Sequence, residues 1–320
     1  MTCAIPNLRQ RLGDHNRTFP GVPVRSISKR PKKMQEVICS RRHPKPHALG
    51  PMAWAAALTV VLLLPPGAAE PQTAGKGAVS SMLSITVIFN NVAFDPKLET
   101  SWGLSCLVTG TEKTILFDTG GDGRILLQNM AVLGLSPQAV DTVFLSHAHG
   151  DHVNGLWEFL KQNSRVEVLV PDSFPQSFTQ LVNESGAQVM PVRGPAQICP
   201  EVYSTGEMGF GIKEQAMILE SPRGLIVITG CAHPGIVNIV RQAIAVRRQP
   251  VYMVMGGFHL MGYSEAQTRE VINQLTLLGV EKVGPSHCTG DMPRSMFKAA
   301  WGGDCLDLGC GAHWRMEHQH

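Results

Sequence analysis

The chain has 320 residues, of which 43% are hydrophobic and 17% charged, with 32 glycines and 22 prolines. This composition excludes disorder over most of the length and fits a globular α/β protein with many tight turns, in one large domain or two modest ones. Residues 1–51 carry a net charge of +9 and residues 52–320 a net of −6, so the body of the chain gives no electrostatic support for a nucleic-acid partner.

The first 69 residues are interpreted as leader and targeting sequence. Residues 1–33 are basic and lack apolar periodicity, which favours a leader that is disordered or not translated over a nucleic-acid-binding arm. From Met34 a basic segment precedes an apolar run over Met52–Leu64 and small residues up to Ala69. The run is shorter than the roughly 20 residues of a membrane span. We predict a signal peptide over 34–69 and export to the periplasm or the exterior, with no stable membrane span after cleavage. An uncleaved membrane anchor is the alternative.

A linker rich in glycine, alanine and serine is predicted over 70–81, followed by a single domain over 82–315. Its first half begins with β-branched segments and continues with strand–helix alternation. The predicted strands are Leu83–Phe89, Leu104–Thr109, Thr114–Phe117, Thr142–Leu145, Val166–Val170 and Gln188–Val192. The predicted helices are Arg124–Leu133, Val153–Gln162 and Phe174–Asn183.

The second half of the domain repeats this rhythm. Its predicted strands are Ala216–Leu219, Leu225–Ile228, Val251–Met255 and Lys282–Gly284, and its helices are Ile236–Val246, Glu265–Leu278 and Pro293–Ala300. Two mixed sheets packed face to face, with helices outside, would bury these strands on both sides. The predicted fold class is therefore α/β, as a four-layer α/β/β/α sandwich. The histidines at 313, 318 and 320 are interpreted as a solvated tail.

Six of the eight cysteines follow residue 70. An exported protein can keep disulfides, and Cys305 and Cys310 could pair, although their spacing does not decide it. Cys231 and Cys288 stand beside histidines in short motifs and are interpreted first as site residues.

Histidines gather at the ends of the predicted strands. A lone strand-end histidine is usually only a satisfied polar residue, but here three of them share the hexapeptide His147-Ala-His149-Gly-Asp151-His152. Imidazole and carboxylate side chains together suit zinc or iron. The small residues between the ligands let the loop curl tightly, so that positions 147 and 149 face one metal and positions 151 and 152 a second. The six strand-end histidines are His147, His149, His152, His233, His259 and His287.

The hexapeptide therefore predicts two divalent metal ions, with zinc favoured and iron or manganese as alternatives. Two such ions a few ångströms apart can hold a shared hydroxide. Bound to zinc, water has a pKa of about 7 instead of 15.7, so a nucleophile exists at neutral pH.

The cluster after a strand, together with Asp118 in an upstream Phe-Asp-Thr-Gly segment, resembles the metallo-β-lactamase superfamily over residues 83–300. In that family the upstream aspartate steadies the metal-binding loop through hydrogen bonds, a role that the resemblance implies for Asp118. Motifs at 229–235, 256–260 and 286–290 resemble the branch of dihydropterin–ribofuranosylaminobenzene phosphate synthase-like metallo-hydrolases. Export would separate this chain from a cytoplasmic cofactor pathway, so we do not predict the synthase reaction for it.

Position by position, the resemblance implies metal ligands at His147, His149, Asp151, His152 and His287. Two other positions depart from the family pattern. Where the family has a histidine, this chain has Ile212-Lys213-Glu214, and we infer that His233 supplies the missing imidazole. Where the family has a bridging aspartate stands Cys231, which is either a soft ligand or a buried small residue. His259 is either a ligand or a proton donor to the leaving group, with a pocket wall as the alternative.

These residues predict a metal-dependent hydrolase that uses a bridging hydroxide on a small ester, phosphodiester or lactone, with Asp151 and His259 as catalytic residues. The alternative is a non-catalytic metal-binding or sensing module on the same fold. The retained Asp151 and the full histidine set favour the enzyme, because degenerate members tend to lose ligands. Di-iron redox chemistry is a third possibility, but it would usually come with a fused flavin or rubredoxin-like domain, and no such domain is visible in the sequence. The predicted partner is a small-molecule substrate, not nucleic acid, and the oligomeric state is left open.

Overall fold

The computed structural model describes residues 82–316. The predicted leader, signal peptide and linker, and the histidines at 318 and 320, lie outside the described residues, so these interpretations stay predictions. Within residues 82–316, no helix is both long enough and apolar enough to cross a membrane.

Strands and helices follow one another in two similar series along the described chain. The strands are β1 Ser84–Asn90, β2 Leu104–Thr109, β3 Ile115–Phe117, β4 Thr142–Phe144, β5 Glu167–Pro171, β6 Gln188–Val192, β7 Ala196–Cys199, β8 Val202–Ser204, β9 Met217–Ser221, β10 Gly224–Thr229, β11 Val251–Gly257, β12 Lys282–Ser286 and β13 His313–Arg315. The helices are α1 Gly123–Val132, α2 Gly150–Val153, α3 Leu156–Gln162, α4 Gln176–Glu184, α5 Ile236–Arg247, α6 Glu265–Leu277 and α7 Asp291–Trp301.

The strands form two mixed sheets, in the spatial orders β13-β1-β2-β3-β4-β5-β6 and β12-β11-β10-β9-β8-β7. In each sheet antiparallel strands give way to parallel ones. Strands β3 to β6 are parallel in the first sheet, and β10 to β12 are parallel in the second. Except for the edge strand β6, which is mostly exposed, the parallel strands are buried on both faces, which explains their largely apolar sequences.

Three buried hydrophobic clusters define the layers. The first joins the inner faces of the two sheets, with Phe117 and Phe144 on one side and Ile226 on the other. The second packs the outer face of the first sheet against α1, α3 and α4. The third packs the second sheet against α5, α6 and α7, with Phe297 at its centre. The layers are therefore helices, sheet, sheet and helices, which confirms the predicted four-layer α/β/β/α sandwich.

Several local predictions need correction. The short strands β7, β8 and β13 were not predicted. Strand β13 pairs antiparallel with β1, and Nδ1 of His313 lies 2.7 Å from Oγ1 of Thr86, so the solvated-tail interpretation is wrong for His313. The single helix predicted over Val153–Gln162 is instead two helices broken at Gly155. A Cβ at Gly155 would collide with the carbonyl oxygen of Thr119, so the chain needs glycine there.

The six cysteines between residues 82 and 316 are all free and buried. Cys310 donates its Sγ hydrogen to the carbonyl oxygen of Ile88 at 3.1 Å. Cys305 instead packs in the cluster between the second sheet and α7. The disulfide between Cys305 and Cys310 that their spacing allowed is therefore absent from the described structure.

The candidate site residues follow the carboxyl ends of the strands, which is where open α/β sheets usually bind ligands. The hexapeptide follows β4, and the loop 230–235 follows β10. Four non-glycine residues in these turns have left-handed backbones, with φ between 48° and 60°. Such conformations are strained for L-amino acids and gather at functional sites. They are Asp118, Ala232, His259 and His287.

Candidate metal centre

Three histidines from two loops meet at the edge shared by the sheets. His147, His149 and His233 each bring a ring nitrogen to within 4.8 Å of the other two. Their ring centroids lie 4.6 to 4.9 Å apart. We call them the three-histidine group. His233 is thus next to the two histidines of the hexapeptide, as expected if it supplies the missing imidazole.

A second set of donors lies beside the first and differs in chemistry. Asp151, His152, Cys231 and His287 also bring one ligand atom each to within 4.8 Å of one another. Nε2 of His152 lies 3.2 Å from Sγ of Cys231 and 3.2 Å from Nε2 of His287. Oδ2 of Asp151 lies 3.2 Å from Nε2 of His287. We call these four residues the mixed-donor group.

Asp118 lies behind the mixed-donor group and contacts one of its histidines. Its carboxylate is fully buried, and Oδ2 lies 2.7 Å from Nδ1 of His152. The same carboxylate accepts hydrogen bonds of 2.7 Å from the backbone N–H and the hydroxyl of Ser146. The structure therefore places Asp118 where it orients both a ligand and the start of the hexapeptide loop, which agrees with the role that the resemblance implied.

The hydrogen bond of Ser146 also determines the tautomer of His147. The hydroxyl hydrogen of Ser146 goes to Asp118, so its oxygen accepts from Nδ1 of His147 at 2.9 Å. Nε2 of His147 is then unprotonated. It is buried and has no hydrogen-bond partner among the described residues. A buried polar atom without a partner is costly, and a metal ion at this position would satisfy it.

The two imidazoles of the mixed-donor group provide a second test of the fit to a metal. Nδ1 of His287 lies 2.8 Å from Oδ1 of Asn91, which can only accept, so Nδ1 carries the proton. Nδ1 of His152 likewise donates to Asp118. With Nδ1 as the donor in each ring, the two Nε2 atoms face each other at 3.2 Å, beside Asp151 and Cys231. Two ring nitrogens that converge with a carboxylate and a sulfur atom are a donor set that fits a metal ion.

Glu214 occupies the region where the family has a histidine, but it acts on the backbone. Its Oε1 accepts from the hydroxyl of Thr229 and from the N–H groups of residues 230, 231 and 232, at 2.9 to 3.1 Å. Its Oε2 accepts from the N–H of His233 and lies 2.9 Å from Nδ1 of that ring. One buried carboxylate thus shapes the loop after β10 and leaves Nε2 of His233 free to bind.

Burial and charge set the protonation states of these ligands. Burial lowers the pKa of His147 and of His152 to about 3, so both rings are neutral at pH 7, the form that binds metals. Burial alone would raise the pKa of Asp151, but the neighbouring His287 and His152 lower it below the usual range. The carboxylate of Asp151 is therefore ionised.

A third cluster borders the mixed-donor group. Cys231, His259 and Cys288 bring their ligand atoms to within 4.8 Å of one another. His259 is exposed, and its ring centroid lies 4.6 Å from that of His233. A hydrogen bond from Cys231 lowers the pKa of Cys288 to about 5, although burial opposes the shift. His259 therefore lies beside both ligand groups and belongs to neither.

Three functional residues were missed from the sequence: Asn91, Ser146 and Glu214. Ser146 directly precedes the hexapeptide and could have been considered for that reason. Glu214 stands in the segment where the family histidine is missing, and an acidic residue there was a usable signal. Asn91 lies 196 positions before its partner His287, and nothing local to its sequence marks it.

Two facing mixed sheets, with clustered metal-ligating side chains at the strand ends, define the metallo-β-lactamase fold. Residues 103–234 match the family model described as the metallo-beta-lactamase superfamily. The fold of residues 82–316 agrees with this match.

Relatives agree with this assignment. The chain is 27% identical to the 7,8-dihydropterin-6-methyl-4-(beta-D-ribofuranosyl)-aminobenzene-5'-phosphate synthase of Methanocaldococcus jannaschii, over 69% of this chain and 92% of that protein. A solved metal-dependent hydrolase of the beta-lactamase superfamily is 25% identical, with a TM-score of 0.62 over 74% of this chain and 100% of its own. The metallo-beta-lactamase fold protein YhfI of Bacillus subtilis is 13% identical and shares the fold, with a TM-score of 0.53 over 72% of this chain and 99% of its own. The resemblance to the synthase-like branch is thus confirmed.

Proposed function

We propose that this chain is a dinuclear metal-dependent hydrolase that acts on a small ester, phosphodiester or lactone. The observation that carries the proposal is the pair of ligand groups, each with its ligand atoms within 4.8 Å of one another. The two groups adjoin, since the ring centroids of His147 and His152 lie 4.3 Å apart. Zinc is favoured because imidazole, carboxylate and thiolate are all ligands that it accepts, with iron or manganese as alternatives.

Two bound ions would supply an activated water at neutral pH and polarise the bond under attack. The chain's own residues hold the ligands and manage protons. Asp151 keeps 22% of its side chain exposed, so this carboxylate faces the side from which substrate arrives. His259 is exposed next to His233, where its imidazole can donate a proton to a leaving group.

A cavity of about 210 Å³ opens beside these two histidines. It is lined by His233, His259 and apolar side chains that include Ile236, Phe258 and Tyr263. Concave sites with apolar walls and a few polar groups are typical of small-molecule binding. A larger cavity of about 350 Å³ lies at the opposite ends of the strands and includes no histidine or cysteine, so it does not compete as the reaction site.

Relatives' names differ in the reaction that they imply. One relative is named a synthase and a solved relative is named a metal-dependent hydrolase. We favour hydrolysis because both ligand groups are complete and because export would separate the chain from cofactor biosynthesis. A non-catalytic metal-binding module is the competing function.

The test is turnover by purified, metal-loaded protein on a panel of carboxylic esters, phosphodiesters, lactones and β-lactams. We expect hydrolysis of at least one class and its loss in His147→Ala. The matched control is His313→Ala, which removes an imidazole on β13 outside both ligand groups and should keep turnover. Bound metal without turnover on any class would favour the non-catalytic module. Equal turnover in His147→Ala and in the native chain would contradict the metal mechanism.

A further inference from the structure

Two buried cysteines from different loops face each other at the edge of the mixed-donor group. Cys231 follows β10 and Cys288 follows β12, and they are only 3% and 5% exposed. Their sulfur atoms lie within 4.8 Å of each other, and Sγ of Cys288 lies 3.6 Å from the carbonyl oxygen of Cys231. Between residues 82 and 316, the other four cysteines belong to none of the ligand clusters.

The backbone holds this pair in place from both sides. Ala232 and His287, the immediate neighbours of the two cysteines, both have left-handed backbones. Gly257 makes room for the pair, because a Cβ at that position would lie 2.7 Å from Sγ of Cys288. The two sulfur atoms are therefore brought close together by the protein fold, which is what a disulfide between them requires.

We propose that Cys231 and Cys288 are an oxidisable dithiol, and that their disulfide excludes a metal ion from the mixed-donor group. The second half of this proposal rests on the proposed function, in which Cys231 is a metal ligand. The first half rests only on the position of the two sulfur atoms.

The oxidation balances with a hydroperoxide such as hydrogen peroxide as the oxidant. The sulfur of one cysteine attacks a peroxide oxygen, so that an S–O bond forms, the O–O bond breaks and one water leaves. The sulfur of the other cysteine then attacks the first sulfur, so that the S–S bond forms, the S–O bond breaks and a second water leaves. The two thiols lose two electrons and two protons, and the peroxide is reduced to two molecules of water.

The disulfide would affect the two ligand groups differently. A sulfur in a disulfide is no longer a thiolate, so the mixed-donor group falls from four donors to three. The three-histidine group contains no sulfur and keeps all of its donors. Conversely, a metal ion bound to Cys231 occupies the electron pair that the reaction needs. A bound metal ion should therefore slow formation of the disulfide, and the disulfide should prevent binding of the metal ion.

The first measurement uses the metal-free, reduced full chain treated with hydrogen peroxide. Mapping of alkylated peptides by mass spectrometry should show a peptide linked through Cys231 and Cys288, which a dithiol reductant separates again. Cys288→Ala and Cys288→Ser remove one partner, keep all four mixed donors and should form no such link. Cys199→Ala removes a buried cysteine outside the clusters and should form the link as the native chain does. Absence of the linked peptide in the native chain would overturn the proposal.

The second measurement repeats the oxidation with Zn²⁺ present. At a Zn²⁺ concentration about ten times its Kd, the metal-free fraction and hence the rate of disulfide formation should fall about tenfold. The oxidised native chain should also bind one zinc fewer than the reduced chain, whereas Cys288→Ser should show no difference after peroxide. A link that forms at the same rate with zinc bound would show that Cys231 is not a ligand, which contradicts the exclusion and that part of the proposed function. The dithiol itself would then still stand.

Discussion

The two ligand groups lie side by side, yet they are built differently. The three-histidine group offers only nitrogen donors, and its members come from loops that follow strands of both sheets. The mixed-donor group combines two imidazoles with a carboxylate and a sulfur atom. The first group therefore offers one kind of ligand atom and the second offers three kinds.

The hydrogen bonds behind the ligands differ in the same way. Asp118 reaches both groups, because it contacts His152 directly and His147 through Ser146. The carboxylate of Glu214 contacts the end of β10, the loop after it and the ring of His233, and so reaches only the three-histidine group directly through a side chain. Substitution of Asp118 should therefore affect metal binding in both ligand groups, whereas substitution of Glu214 should affect only one.

The largest expected effect comes from removing a ligand from either group. His149→Ala breaks the three-histidine group and Asp151→Ala breaks the mixed-donor group, so each variant should lose detectable turnover and one of two bound metal ions. Metal content by elemental analysis and turnover under the same conditions check this. If either variant keeps both ions, that residue is not a ligand and the comparison between the groups fails.

The next effect concerns stability. Glu214→Ala would leave four buried backbone N–H groups without an acceptor, and each costs about 1–3 kcal/mol, so the free energy of unfolding should fall by at least about 3 kcal/mol. Urea unfolding of the metal-free protein measures this. The exposed Glu112→Ala is the control and should stay within about 0.5 kcal/mol of the native chain. A Glu214 variant as stable as that control would show that the loop after β10 does not depend on this carboxylate.

Asp118→Asn should weaken metal binding by about 10–100-fold, the usual effect of losing a partner behind a ligand. Asparagine cannot accept on both atoms, so either His152 or Ser146 loses its acceptor. Because Asp118 reaches both groups, both binding steps should weaken in a chelator competition titration. Asp172→Asn, at an exposed aspartate, should leave both steps unchanged. If only one binding step weakens, the hydrogen bonds from Asp118 through Ser146 to His147 do not contribute to metal binding.

The smallest effect is expected at Asn91. Asn91→Ala removes the acceptor of Nδ1 of His287, a loss of about 1 kcal/mol that corresponds to about fivefold weaker binding in the mixed-donor group alone. The same titration should show the three-histidine step unchanged. Equal weakening of both steps would contradict the separation of the groups.

Much of the fold was predictable because its strands are encoded locally. The buried parallel strands have continuous apolar sequences, and strand β4 leads straight into the hexapeptide. Strand β13 was missed because its structure comes from pairing with β1, more than 200 residues earlier in the chain. The break between α2 and α3 depends on the close approach of Gly155 to Thr119, which no local pattern shows.

The site residues also divide into those marked by local sequence and those that depend on contacts between distant segments. The residues of the hexapeptide were recognisable from their spacing alone, and His233 could be inferred from the missing family histidine. The residues that orient the ligands act through contacts between distant segments, such as the hydrogen bond that joins Asn91 to His287. The contact between Cys231 and Cys288 likewise appears only when β10 and β12 are placed in one sheet.

The central claim is that the two groups each hold a metal ion, and anomalous X-ray diffraction from zinc-loaded crystals tests it most directly. We expect two peaks, one within ligand distance of His147, His149 and His233, and one within ligand distance of Asp151, His152, Cys231 and His287. A single peak, or a peak only among Cys231, His259 and Cys288, would contradict it.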